Sequence, residues 1–198
     1  MYAIEYREEL HSTNALAKEH LENLPHLQVI SADIQTKGHG QFERTWYSSN
    51  KNGGNCYISI ILKPKNTDNI DKITRYTSLK VAQTLEKYGL KPTFKYPNDV
   101  LVNGKKIAGI LAESVMIGQI LKGIVVGVGV NLNLEAEEVL NIDQEATSIF
   151  IETSKNVSKK EFIENFMELF EQDLCNLDKY EGEILCYQNK WCLLPKKE

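Results

Sequence analysis

Apolar residues follow two periodicities along the chain, one typical of strands and one typical of helices. Period-two alternation and short apolar runs predict strands within residues 3–6, 26–33, 52–62, 93–96, 100–115 and 120–134. Helical spacing predicts amphipathic helices within residues 11–24, 67–90 and 158–180. The stretch 100–115 is predicted to fold back on itself, because Asn103–Gly104 is a strong hairpin signal.

Capping signals indicate where the helices begin. Ser12 or Thr13 can cap the first helix, residues 67–69 can cap the second, and Ser158 with Glu161 forms a capping box for the third. Because helices and hairpins are interspersed, the predicted fold is α+β, with a mixed, mostly antiparallel sheet flanked by helices. No repeat or linker precedes about residue 180. We therefore predict one domain over residues 1–180 and a short C-terminal tail over residues 181–198.

Composition and charge narrow the classes of function. The chain has 198 residues, 42% hydrophobic and 25% charged, which is ordinary for a soluble protein with a buried core. A formal net charge of −4 argues against a nucleic-acid partner, which needs a basic surface. No apolar run could span a bilayer and the N-terminus is no signal peptide, so we predict a cytoplasmic protein with no membrane partner. The four cysteines form no C-x-x-C pair, so neither a metal site nor disulfides are expected.

The segment QTKGHGQFERTW, residues 35–46, fits neither a strand nor a helix. Its glycines, Gly38 and Gly40, would allow backbone amides to converge on an anion in the nest geometry that binds phosphates. Further donors come from the side chains of His39, Gln41 and Arg44. The functional interpretation is a loop that closes over a small anionic ligand, and the alternative is a mobile surface loop.

Lys106 lies inside a predicted strand, two residues before Ala108. Simple alternation would turn it to the working face of the sheet, where a lysine can neutralise a phosphate or a carboxylate. The alternative is a solvated edge lysine that discourages aggregation, which is the interpretation we give to Lys105. The preceding Pro97, Asn98 and Asp99 are explained well enough by a turn.

Two glycines lie two residues apart in GVGVNLNL, residues 127–134. On one face of a strand, Gly127 and Gly129 would leave a groove for a flat ring, with Asn131 placed to hydrogen-bond it. Tight packing against the strand is the alternative. The STN sequence at 12–14 is interpreted as a helix cap unless the rest of the site converges there.

Together these motifs resemble the catalytic domain of a biotin protein ligase of the monofunctional type, which lacks an N-terminal DNA-binding domain. The resemblance extends over about residues 2–180 and rests on STN at 12–14, Gln35 with the loop ending at Trp46, KYPND at 95–99, GKKIAGILAE at 104–113 and GVGVNLN at 127–133. It implies a fold like that of class II aminoacyl-tRNA synthetases. It also implies an enzyme that makes biotinyl-AMP from biotin and MgATP, releases pyrophosphate, and transfers biotin to a lysine of an acceptor such as the biotin carboxyl carrier protein.

The resemblance assigns roles to the matching residues. Lys106 would hold the biotin carboxylate and the phosphate, with Arg44 and Asp99 as further catalytic residues. The biotin pocket would be lined by Ser12, Thr13, Asn14, Gln35, Gly38, Lys106 and Gly109. The ATP and adenylate side would be formed by His39, Gly40, Gln41, Trp46, Asn98, Gly127, Gly129 and Asn131. Both half-reactions build negative charge, which preorganised donors stabilise, and the loop would protect the adenylate from water.

The chain departs from the family in three ways. The usual loop has the form GRGRxxR, and here His39 and Gln41 replace two arginines while Arg44 remains. The loss of two cations predicts weaker retention of the adenylate. The chain begins at the first strand of the catalytic domain, so no helix-turn-helix and no direct transcriptional repression are expected. The small C-terminal β-barrel domain of the family is expected to be reduced to residues 181–198.

Two other functions stay open. A lipoate or octanoyl ligase or transferase shares the fold, but Ser12, Thr13 and Gln35 favour biotin, because a plain acyl chain would leave such groups unpaired. A non-catalytic protein that binds biotinyl-adenylate is the second alternative, motivated by the depleted loop, and the retained Lys106 favours an enzyme. The identity of the acceptor, the magnesium ligands and a weak homodimer are left open by the sequence.

Overall fold

A computed structural model describes residues 1–41, 44–64 and 70–174. The strands are β1 (Ala3–Leu10), β2 (Gln28–Gln35), β3 (Asn55–Leu62), β4 (Pro92–Lys95), β5 (Asp99–Val102), β6 (Lys105–Ile117) and β7 (Ile120–Asn131). The helices are α1 (Thr13–Glu19), α2 (Ile70–Lys87), α3 (Ala136–Val139), α4 (Ile149–Thr153) and α5 (Lys159–Gln172). The boundary at residue 180, the tail 181–198 and the last residues of the third predicted helix lie outside the described residues.

The strands form one seven-stranded sheet in the order β1-β2-β3-β7-β6-β5-β4. The edge strand β1 pairs with β2 in parallel, and every other pair of neighbours is antiparallel. A parallel pair needs a crossover connection, which the segment containing α1 provides. The predicted α+β class, with a mixed and mostly antiparallel sheet, is confirmed. No helix in the described part of the chain is both long and apolar enough to cross a membrane.

The helix starts follow the capping chemistry of the sequence. Ser12 rather than Thr13 is the N-cap of α1, because its side chain accepts a hydrogen bond from a backbone amide of the first turn. Ser158 caps α5 by accepting from the backbone amide of Glu161, and the return bond from the Ser158 amide to the Glu161 side chain, which a capping box requires, is not formed. The cap predicted for α2 at residues 67–69 lies outside the described residues.

The β5–β6 hairpin turns where the sequence predicts it. Asn103 and Gly104 have φ values of 51° and 80°, as a type I′ turn requires. Strand β1 is longer than predicted and extends to Leu10. The helices α3 and α4 were not predicted, because with four and five residues they are too short to display a helical period.

The sheet is buried unequally on its two faces. All eight residues of β3 are buried, so this central strand is covered on both faces. The larger core lies under α2 and α5 and includes Phe162, Phe166 and Phe170. A smaller cluster under α1 contains Ala17 and Leu21. Because α1 has only seven residues, it covers part of its face and leaves room for a cavity beside its N-terminus.

A β-bulge in β6 orients Lys106. Val100 pairs with Ala108 while the next residue of β5 pairs with Lys106, so Ile107 is an extra residue in β6. Ile107 and Ala108 are both buried in the larger core. The bulge thereby places Lys106 on the face of Gly109, three residues further on, with Nζ 3.4 Å from where a Gly109 side chain would begin. Simple alternation would put Lys106 on the same face as Ala108, which is buried in the larger core. Alternation is therefore not the cause of its orientation.

A buried hydrogen bond connects the two helices of the larger core and can be tested directly. The Tyr76 hydroxyl of α2 donates to the carbonyl of Phe170, in the last turn of α5, where a helix has no partner for its own carbonyls. We expect Tyr76→Phe to lower the free energy of unfolding by about 1–2 kcal/mol, because the buried carbonyl loses its donor. Urea unfolding measures this change. Tyr6→Phe, at a residue that is 46% exposed, is the control, and equal losses in both variants would contradict the assignment.

Candidate active site

One cavity of about 270 Å³ lies on the α1 face of the sheet. Its wall is formed by the start of α1, the loop of residues 35–46, the turn at 95–99 and the middle of β6 and β7. All site residues predicted from the sequence line it, with the exception of Gly38 and Asn131. Motifs that are far apart in the sequence therefore converge on one place.

The two exceptions lie behind the cavity wall. A side chain at Gly38 would begin 3.0 Å from Nε2 of Gln35 and 3.2 Å from the carbonyl of Trp46. This position therefore leaves little room for any residue other than glycine. Asn131 is buried, and its amide accepts from Asn55 at 2.9 Å and donates to the carbonyl of Thr147 at 2.9 Å. In this structure the Asn131 side chain ties β7 to its neighbours and takes no part in the cavity wall.

Gln35 and Thr13 form a fixed pair at one end of the cavity. The backbone amide of Thr13 donates to Oε1 of Gln35 at 2.7 Å, and its hydroxyl donates to the same oxygen at 3.1 Å. A backbone N–H can only donate, so Gln35 must turn its oxygen towards Thr13. Its Nε2 group then has no hydrogen bond to any other described residue and is a donor for a ligand.

Asn14 is held beside this pair with the opposite orientation. Its Nδ2 donates to Oε2 of Glu113 at 2.8 Å and to the carbonyl of Leu111 at 3.3 Å, while its Oδ1 accepts from the Ser59 hydroxyl at 2.5 Å. A side chain at Gly127 would begin 2.4 Å from Oδ1. The amide of Asn14 thus occupies the space that Gly127 leaves open, and the predicted groove is closed at this end by a protein side chain.

Glu113 is a residue of the site region that sequence reasoning missed. Burial would raise the pKa of its carboxyl group, but hydrogen bonds from Lys18 and Asn14 outweigh this effect and lower the pKa. The Lys18 ammonium lies 2.8 Å from Oε1. The signal that could have found it is the spacing in GKKIAGILAE, which puts Gly109, Leu111 and Glu113 on one face of β6.

Lys106 supplies a positive charge at another part of the cavity. Its Nζ lies 2.7 Å from Oδ1 of Asp99, and both side chains are only 14% exposed. Its backbone is fixed as well, since it donates to the carbonyl of Glu145 and accepts from the amide of Thr147. Lys105 next to it is exposed, as predicted. The ammonium group is therefore held in place before any ligand arrives.

The glycine groove between β6 and β7 holds an aromatic ring. Gly109 and Gly129 are paired across the two strands, and a side chain at either would begin 2.8 or 2.7 Å from the indole of Trp46. The ammonium of Lys106 lies 5.2 Å from the centre of the same ring. The groove was predicted at Gly127 and Gly129, but Asn14 fills the space at Gly127 and the indole of Trp46 packs against Gly129 and Gly109. This packing is the alternative that the sequence left open.

Residues 38–40 and 44–46 pair as the two antiparallel arms of a small hairpin. The amide of Gly40 donates to the carbonyl of Arg44 at 2.7 Å, and the amide of Trp46 donates to the carbonyl of Gly38 at 2.9 Å. Neither Gly38 nor Gly40 has a positive φ. The backbone nest expected from these glycines is therefore not formed, because two of the loop amides are used within the hairpin. The side chains of His39, Gln41 and Arg44 still line the cavity.

Tyr57 is a second residue that the sequence did not reveal. It lies on β3 at the cavity wall and is buried. Burial raises the pKa of its hydroxyl, an effect that the nearby Ser48 and Ser49 oppose only in part. The hydroxyl oxygen is itself buried beside Ser48 and Ser49 and makes no hydrogen bond of good geometry to the described residues.

The cavity offers little for a metal ion on its own. No group of three or more histidine, cysteine, aspartate or glutamate side chains could hold one within residues 1–41, 44–64 and 70–174. Asp99 is the acidic residue among the described residues of the cavity wall. What the cavity does offer is a hydrogen-bonding amide pair, an apolar groove and a lysine. This set suits an elongated ligand with a polar head and an anionic group.

Comparisons with known proteins agree with this description. The model of the Biotin/lipoate A/B protein ligase family matches residues 6–131. The bifunctional ligase/repressor BirA of Bacillus subtilis (strain 168) is 30% identical over 171 residues, which cover 84% of this chain and 52% of that protein. The biotin--[acetyl-CoA-carboxylase] ligase of Paracoccus denitrificans is 30% identical over 179 residues, which cover 85% of this chain and 72% of that protein. The chain thus spans about half the length of the Bacillus relative.

Solved structures of biotin protein ligases share the fold. The Aquifex aeolicus biotin protein ligase in complex with biotin and ATP has a TM-score of 0.80 and 27% identity, over 93% of this chain and 77% of that chain. The Leishmania major enzyme in complex with biotinyl-5-AMP has a TM-score of 0.75 and 21% identity, over 94% and 80%. The expected class II aminoacyl-tRNA synthetase-like fold is confirmed. Given the family match over residues 6–131 and the extent of the Paracoccus match, the chain belongs to the biotin/lipoate A/B protein ligase family.

Proposed function

We propose that this chain is a biotin protein ligase. It activates biotin with ATP to form biotinyl-AMP and pyrophosphate, and then transfers biotin to a lysine of a biotin-accepting carrier domain. The observation that carries the proposal is a single cavity with the amides of Asn14 and Gln35 in its wall and the ammonium of Lys106 beside its groove. The Paracoccus relative is named for biotinylation of acetyl-CoA carboxylase, and the Aquifex structure contains biotin and ATP.

The amide end of the cavity favours biotin over lipoate. Gln35 offers a donor and Asn14 offers an acceptor, which complement the carbonyl and an N–H of the cyclic urea of biotin. An octanoyl or lipoyl chain has neither group at that end and would leave both amides unpaired in a buried place. Such unpaired groups are a strong basis for rejecting the wrong substrate.

The Lys106 region fits the adenylation step. The biotin carboxylate is itself the nucleophile, so its oxygen forms a bond to the α-phosphorus of ATP while the bond to pyrophosphate breaks. This step requires alignment and neutralisation of charge more than a general base. Lys106 would hold the carboxylate and the α-phosphate together, with Asp99 orienting its ammonium. Arg44 and His39 would approach the phosphates from the loop.

The transfer step uses the same groups. The amine of the acceptor lysine attacks the acyl carbon, the C–N bond forms, and AMP leaves with the electrons of the acyl–oxygen bond. Lys106 would stabilise the developing negative charge, and the loop would keep water from the mixed anhydride. Mg²⁺ would enter as part of the substrate MgATP. Among the described residues of the cavity wall, Asp99 has the one carboxylate, which fits an ion held mainly by phosphate oxygens.

The proposed partner is a biotin carboxyl carrier protein or the biotin-accepting domain of a carboxylase, met in the cytoplasm. The acidic net charge of −4 supports a protein acceptor over a nucleic-acid partner. The name of the Paracoccus relative supports a carboxylase as the acceptor.

The catalytic assignment predicts a sharp difference between two adjacent lysines. We expect Lys106→Ala to lower the rate of biotin transfer at least about 100-fold, because the charge at the reacting groups is lost. We expect Lys105→Ala, at an exposed position, to keep a rate within about twofold of wild type. The measurement is the transfer of labelled biotin to a biotin carboxyl carrier domain with ATP and magnesium. Tight binding of biotinyl-AMP by a wild type that transfers nothing would favour the non-catalytic alternative.

The altered loop leads to a second expectation. Gln41 lines the cavity, so an arginine there would add a cation near the adenylate phosphate. We expect Gln41→Arg to slow the dissociation of biotinyl-AMP by about tenfold, the effect of one added charge-assisted hydrogen bond. Stopped-flow displacement measures the rate, with Gln119→Arg at the β6–β7 turn as the matched control. An unchanged rate in Gln41→Arg would contradict the proposed weak retention.

A further inference from the structure

We infer that Glu113 is a positioning residue that sets which hydrogen-bonding groups the cavity presents to its ligand. The inference rests on the proposed function, because it concerns the biotin end of the same site. Glu113 is outside the cavity wall and acts through Asn14. One of its carboxylate oxygens accepts from Nδ2 of Asn14 at 2.8 Å, and the other accepts from Lys18 at 2.8 Å.

The orientation of the Asn14 amide is not decided by shape. A carboxamide can turn by 180° and exchange its oxygen and nitrogen with little change in packing, so its hydrogen-bond partners decide the orientation. The Ser59 hydroxyl tolerates either orientation, since it can donate or accept. Glu113 and the carbonyl of Leu111 are acceptors only, and both require the nitrogen. The bond to Leu111 is long, at 3.3 Å, so Glu113 is the main determinant.

This orientation decides what the cavity can bind. Oδ1 of Asn14 has two lone pairs, and Ser59 uses one of them. The second can accept an N–H of a ligand, while Nε2 of Gln35 can donate to a carbonyl. With Asn14 reversed, the cavity would present two donors and repel an N–H group. Glu113 is thus the reason that the cavity suits a cyclic urea.

A second substitution, at Lys18, can distinguish the hydrogen-bonding role of Glu113 from a role in packing. A glutamine at position 113 has one oxygen for two donors, and the charged Lys18 is the stronger of them. The NH₂ group of the new side chain then faces Asn14 and requires an oxygen there, which reverses Asn14. If Lys18 is also replaced by methionine, the competing donor is gone. The oxygen of the new side chain can then return to Asn14 and restore its orientation.

The test is calorimetric titration of the full chain with biotin. We expect Glu113→Gln to raise Kd about tenfold, the effect of one lost hydrogen bond with a buried group left unpaired. We expect the double variant Lys18→Met/Glu113→Gln to return to within about threefold of wild type. A matched control is Glu22→Gln, since Glu22 pairs with Lys122 at 3.1 Å away from the cavity, and its Kd should stay at the wild-type value.

The Kd for octanoate distinguishes a reversed Asn14 amide from general damage to the cavity. It has a carboxylate but no N–H group, so its Kd should be the same for wild type, Glu113→Gln and the double variant. If the Kd for octanoate rises in parallel with the Kd for biotin, Glu113 has only a structural role and the inference is overturned. If Glu113→Gln alone does not fold, a double variant whose Kd for biotin is raised about tenfold overturns the inference.

The remaining outcomes distinguish this inference from the proposed function. Wild-type binding of biotin with an unchanged Kd in Glu113→Gln overturns the inference and leaves the ligase proposal intact. The same holds if the double variant is impaired as much as the single variant, because loss of contacts would then explain both. A wild type that binds no biotin overturns both proposals.

Discussion

The ion pair between Lys106 and Asp99 is the interaction on which the site depends. A lysine that is 14% exposed is costly to keep charged unless a carboxylate or another anion accompanies it. Asp99 fulfils this requirement. Under the proposed function, the biotin carboxylate and the α-phosphate would take over part of that role. The bulge at Ile107 is the backbone feature that makes the pair possible, since it turns Lys106 to the face of the cavity.

The glycines of β6 and β7 have the complementary role of leaving space. Gly109 and Gly129 form a bare surface on which an indole can lie, and Gly127 makes room for the amide of Asn14. A side chain at any of these positions would meet another group at less than 3.0 Å. The cavity is thus defined as much by residues without side chains as by its polar groups. The ring of Trp46 in the groove also means that a ligand there must share the space with the indole or displace it.

Much of the fold could be predicted because its signals are local. The turn at Asn103–Gly104, the caps of α1 and α5 and the alternation of the strands each depend on a few neighbouring residues. The burial of β3 on both faces and the bulge at Ile107 could not be predicted, because they arise from how separate elements pack and pair. Lys106 was expected on the working face of the sheet and lies in the cavity wall, but the bulge and not alternation is the cause.

Most residues proposed for the site line one cavity, but their hydrogen bonds were not predicted. Family motifs identified Asn14 and Gln35, but the pairing of Asn14 with Glu113 joins residues 99 positions apart and is invisible to any local pattern. Asn131 was expected to face a ligand, and it is instead paired with Asn55 and Thr147. Hydrogen-bond partners are set by register and packing, and one sequence does not reveal them.

A crystal structure of this chain with biotin tests the central claim most directly. We expect an N–H of the urea within about 3 Å of Oδ1 of Asn14 and the urea carbonyl at the same distance from Nε2 of Gln35. The carboxylate should lie within about 3 Å of Nζ of Lys106. Biotin bound in the reverse orientation, or bound outside this cavity, would contradict the proposed site.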